Sequence, residues 1–177
     1  TPMAEFYDRL ERAMSAAGQW KSGRFRFTTR LARDLDPLFP QKHLQLADLE
    51  ASVSGLRACR AILDGVMATA SGRLRERLLE DDRNLRYAEN TVNLYYLMAQ
   101  VLLARRRGEL DKARAFYQAS APHARGLKQE VELVQYAFHA NAEDGLDASL
   151  VEESWKKLGA ALGLPDLLQL PREDPGR

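Results

Sequence analysis

Asp82, Arg86, Glu89, Asn93, Tyr96 and Gln100 follow one another at spacings of three and four, so in a helix they share one face. Two carboxylates, a guanidinium, two amides and a phenol on one stripe are the raw material of a ligand-binding groove or of acid–base chemistry. A second stripe, Glu132, Gln135, His139 and Glu143, repeats the spacing further along the chain. If the two helices lie side by side, His139 faces Glu89 or Asn93, and an acid and a base come together. The plainer reading of the same residues is a solvated face with inter-helix ion pairs, which needs no ligand.

Asp81 carries a separate expectation. It falls between Leu78 and Leu85 on the apolar seam of the same segment, where an ionised carboxylate needs a partner, so an arginine from another helix is expected to hold it. Metal chemistry is not indicated, because two-metal carboxylate bundles use a Glu-x-x-His spacing on two helices. None of His43, His123 and His139 has Glu three residues before it. With no Gly-rich phosphate loop and no nucleophile beside a base, no metal or organic cofactor is expected. Trp20, Phe25 and Phe27 alternate with Lys21, Arg24 and Arg26, a mixture that can stack on sugars, so Trp20 joins the candidate ligand contacts.

The elements that must position these residues are helical. Leu (28) and Ala (25) far outnumber Val, Ile and Thr, which together number 13, so helix formers dominate over strand formers. Arg73 to Arg107 contains neither Gly nor Pro and is bracketed by Gly72 and Gly108. It reads as one central helix roughly 50 Å long. Leu94 to Leu103 is apolar on nearly every side and should form the centre of the core. Arg105, Arg106 and Arg107 close this helix, where cations complement the negative end of the macrodipole.

Thr1 and Pro2 read as the start of a first helix that Gly18 stops. Leu49 to Ala70 reads as a second, ended by Ser71 and Gly72, with a side of Ala51, Gly55, Ala58 and Ile62 that allows a neighbour to approach closely. A short piece is expected over Thr29 to Leu35, a further helix from Glu109 that breaks near Pro122, and another whose face is Leu127, Val131, Val134 and Phe138. Ser149 and Glu152 form a capping box for a last helix with Val151, Trp155, Leu158 and Leu162 on one stripe. The fold expected is all-α: a single-domain bundle of about six helices over residues 1–171, with 172–177 as a flexible tail.

Composition narrows the partners. A net charge of +1 over 177 residues lacks the basic excess of a nucleic-acid binder, and the most apolar run, Leu94 to Ala104, is too short to span a bilayer. No secretory signal is seen and the single Cys59 cannot form an internal disulfide, which favours a soluble, cytoplasmic protein. The first residue is Thr, so the chain reads as a processed protein or a piece of a larger one.

Tyr95 to Ala121, with Gly108, Ala113 and Tyr117 at their offsets, resembles one tetratricopeptide-type helical hairpin, although no second copy follows at a 34-residue period. Met3 to Met14 (MAEFYDRLERAM) and Arg73 to Met98 (RLRERLLEDDRNLRYAENTVNLYYLM) resemble the helical region that follows the catalytic barrel in large bacterial proteins of glycoside-hydrolase type. That resemblance implies an accessory domain whose catalytic carboxylates lie elsewhere. The function expected is therefore a non-catalytic interaction role, with a partner domain or a second copy as partner and carbohydrate as a candidate ligand. The rival is a small helical enzyme or ligand-binding protein using the groove between the central helix and the 127–143 segment.

Overall fold

The computed structural model describes residues 1–18, 46–138 and 148–164, and the regular structure in them is entirely helical. Five helices are described: α1 (Pro2–Gly18), α2 (Leu46–Met67), α3 (Gly72–Arg106), α4 (Leu110–Phe138) and α5 (Ala148–Ala161). The expected piece at Thr29–Leu35, the aromatic segment around Trp20 and the tail from residue 165 onward lie outside the described residues.

The helix ends follow local chemistry. Thr1 Oγ1 accepts the Ala4 amide at 3.3 Å, the bond of an N-cap. At the end of α3, Gly108 takes φ +74°, which lets the Glu109 amide reach the Ala104 carbonyl at 2.9 Å and the Gly108 amide reach Arg105 at 3.0 Å. The end of α5 repeats this pair of bonds, with Gly163 at φ +68° and Leu164 bonded to Gly159. Both are Schellman stops, in which a left-handed glycine satisfies carbonyls that the helix leaves open. α3 thus begins and ends within a residue of the bounds expected for it.

Three expectations about elements need correction. α4 runs unbroken through Pro122, although proline removes the bond to the carbonyl four residues back. The reason is tertiary: buried Ser120, Ala121 and Ala124 flank the proline, and packing on both sides of α4 outweighs one lost bond, while Pro122 itself is exposed. α2 ends at Met67, short of the expected Ala70. α5 begins at Ala148, so Ser149 sits within the first turn rather than ahead of it.

The principal contacts run between consecutive helices: α1 with α2, α2 with α3, α3 with α4, and α4 with α5. Each pair is antiparallel. Ser52 meets Ala13 while Cys59 meets Phe6, and Arg60 meets Asp82 and Glu89 while Glu50 meets Tyr96. The close approach expected at the small residues of α2 occurs at Gly55, where a Cβ would lie 2.8 Å from that of Ala13.

α3 belongs to two cores. Its first part supplies Leu78, Leu85, Ala88 and Val92 to a cluster with Phe6 of α1 and Leu56, Cys59 and Leu63 of α2. Its second part supplies Leu94, Met98 and Val101 to a cluster with Tyr117 and Leu127 of α4 and Trp155 and Leu158 of α5. Most of the expected core segment Leu94–Leu103 is therefore buried, with a correction: Tyr96, Leu97, Gln100 and Leu103 are only partly buried, the first three on the side of the Asn93–Gln100 stripe.

Candidate functional site

The stripe on α3 is placed between α2 and α4, and its first half is an ion-pair network. Arg60 of α2 presents its guanidinium edge to Glu89, with Nη2 donating to Oε2 at 2.7 Å and Nε to Oε1 at 3.3 Å. Its Nη1 donates to Asp82 and lies 3.5 Å from Asp64. Asp82 is shared with Arg86 at 3.1 Å, and Arg86 Nε reaches Glu130 of α4 at 3.4 Å. Three helices are tied by one chain of alternating charge. Burial works against the charge on Arg60, but its bonds to Glu89 and Asp82 outweigh this and raise its pKa above the ordinary value.

The second half of the stripe is less committed. Asn93 Nδ2 donates to the Glu89 carbonyl at 2.8 Å. Tyr96 Oη donates to exposed Glu50 at 3.3 Å, and Gln100 Nε2 donates to Tyr96 Oη at 3.1 Å. Among the described residues each amide makes one bond through its nitrogen, which leaves its oxygen and a second proton available. Across the α3–α4 seam, Asn90 Oδ1 lies 3.2 Å from His123 Nδ1. Gly126 permits that contact, because a Cβ there would come within 2.4 Å of the Asn90 side chain. Arg125 Nε and Glu130 Oε2 are buried without a hydrogen-bond partner.

His139, Trp20 and the side chains of Glu132, Gln135 and Glu143 lie outside the described residues, so the juxtaposition of His139 with Glu89 is not among the observed contacts. Asp81 departs from expectation. Both its carboxylate oxygens accept from Tyr7 Oη of α1 at 3.0 Å, and among the described residues no arginine pairs with it. The seam at that level opens towards α1, where water reaches the carboxylate, so a phenol suffices in place of a cation. Burial and the bond to Asp81 together raise the Tyr7 pKa.

The chain matches no family model, no curated protein and no solved structure. Gly108, Ala113 and Tyr117 do act as the turn and buried contacts of an α3–α4 hairpin, Gly108 by its positive φ and the other two by complete burial. No described helix is long and apolar enough to cross a membrane. Among the described residues no three His, Cys, Asp or Glu side chains gather as a metal site would require.

Sequence reasoning found the stripe but missed its partners Arg60 and Glu130, and missed the contact of Asn90 with His123 across the α3–α4 seam. A signal for Arg60 was present: Glu50, Val53, Arg57 and Arg60 share one face of the preceding helix. Gly126, alone inside a helical pattern, was the signal for the Asn90 contact.

Two expected results follow from this geometry. Arg60→Met should destabilise the fold by about 1 to 3 kcal/mol, between a solvated pair and a buried one, because Glu89 then faces Asp82 without their shared cation. Urea unfolding of the variant checks this, and a change near zero would mean that the network is a solvated face. For His123, burial lowers the pKa and nearby Glu89 opposes this. The unfolded chain therefore takes up its proton first as pH falls, so the contribution of neutral His123 is whole above about pH 6.5 and is lost below it. Wild type should lose more stability between pH 7.5 and 5 than His123→Gln, and equal losses would remove His123 as the cause.

Proposed function

We propose that the chain is a non-catalytic helical interaction domain, seated beside a catalytic domain of carbohydrate-active type. One observation carries the first part: the ionisable members of the stripe, Asp82, Arg86 and Glu89, are all committed to neighbouring helices through Arg60 and Glu130. A general acid or base must be free to exchange a proton with substrate. A carboxylate shared between two guanidinium groups, as Asp82 is, serves helix registry instead. The carbohydrate-active neighbour is supported by the resemblance of Met3–Met14 and Arg73–Met98 alone.

The test has two arms. The purified chain should show no turnover on a panel of glycosides, and it should co-elute in size-exclusion chromatography with a catalytic domain encoded beside it. Turnover that disappears in Glu89→Gln would overturn the reading in favour of a small helical enzyme.

A further inference from the structure

We infer that α1 is a releasable cover: it lifts off α2 as a unit and uncovers Cys59, while α4 and α5 stay docked on α3.

The reason lies in what holds α1. Its fully buried side chains, Phe6 and Ala13, belong to the cluster formed with α2 and the first part of α3. No described residue of α1 belongs to the cluster around Trp155. Three hydrogen bonds join α1 to the other described helices. Ser52 Oγ donates to the Ala13 carbonyl at 2.8 Å, Cys59 Sγ to the Phe6 carbonyl at 3.7 Å, and Tyr7 Oη to Asp81 at 3.0 Å. The thiol is a weak donor, and the phenol and carboxylate meet where water reaches them.

Among the described residues no ion pair joins α1 to another helix. Its pairs, Arg9 with Glu5 and Arg12 with Asp8, are internal, and so is the Thr1 cap. These interactions stay with the helix when it lifts. The remaining helices are cross-tied. α2, α3 and α4 share the network from Arg60 to Glu130, and α5 is joined to α4 by bonds running both ways, Trp155 to Ser120 and Tyr117 to Trp155.

The cost of an opening is set by the contacts it breaks, so a segment seated in one core with weak polar ties opens below the cost of global unfolding. Lifting α1 breaks its seat on α2 and leaves the Trp155 cluster whole. In the closed form Cys59 is fully buried against Phe6, and burial pushes its thiol pKa up, so the thiol is inert. In the open form water and reagents reach it.

The test reads Cys59, the single cysteine of the chain, by labelling the native protein with a chromogenic aromatic disulfide. Hydrogen exchange of the α5 amides, followed by mass spectrometry, reports the other end. Labelling of wild type should rise with urea less steeply than global unfolding does, because only the surface under α1 is exposed. Phe6→Ala should speed labelling about 100-fold or more while α5 exchange changes less than about twofold. Trp155→Ala should do the converse, with faster α5 exchange and labelling within about twofold of wild type. If Phe6→Ala fails to fold, Tyr7→Phe decides: the site is exposed, circular dichroism should be unchanged, and labelling should quicken about threefold with α5 unaffected. A urea slope equal to that of global unfolding, labelling unmoved by both α1 substitutions, or equal effects on both readouts would show a single cooperative unit and overturn the cover.

Discussion

Trp155→Ala is expected to lower stability by about 3 to 5 kcal/mol. Trp155 is fully buried and stacks on Tyr117, with ring centroids 4.5 Å apart and planes inclined by 17°. Its indole Nε1 donates to Ser120 Oγ at 2.9 Å, and Ser120 Oγ lies 2.6 Å from the Tyr117 carbonyl. The Tyr117 hydroxyl returns to α5 by donating to the Trp155 carbonyl at 3.0 Å. Truncation removes the ring that fills this site and also the indole bond to Ser120, whose hydroxyl keeps only its bond to the Tyr117 carbonyl, so the cavity and the lost hydrogen bond add.

The neighbouring contact leaves little room for relaxation. A Cβ at Gly159 would lie 2.2 Å from Tyr117 Oη, so the tyrosine is held between the indole and the backbone of α5. Urea unfolding of Trp155→Ala and Trp155→Phe checks the account: Phe should recover part of the loss by refilling volume without replacing the indole N–H. A loss below about 1 kcal/mol in the Ala variant would mean that α5 does not dock through this residue.

These residues also show what could be read without coordinates. The stripe Trp155, Leu158 and Leu162 was legible because burial on one side imposes helical spacing, and all three are buried. The stops at Gly108 and Gly163 were legible because a left-handed residue after a helix is a local steric requirement. Pro122 misled because its cost is local and visible, whereas the packing that outweighs it comes from α3 and α5 and is not. Asp81 misled for a related reason. Its place on the helix followed from spacing, but the identity of its partner depended on Tyr7, which lies 74 residues away in sequence. The same holds for the stripe, whose members were found on α3 while Arg60 and Glu130 were fixed only by the register of three helices.

Leu94 and Leu97 give the sharpest test of that register. Both lie in the apolar run of α3 and differ by less than one helical turn, yet Leu94 is fully buried and Leu97 only partly so. Leu94 points with Met98 and Val101 into the cluster shared with α4 and α5, where a truncated side chain leaves a cavity that close-packed neighbours cannot fill. Leu94→Ala should therefore cost about 2 to 5 kcal/mol. Leu97→Ala removes a side chain that water partly reaches and should cost less, about 1 to 2 kcal/mol. Denaturant unfolding of both variants decides it. Equal losses would show that α3 is rotated from the orientation described.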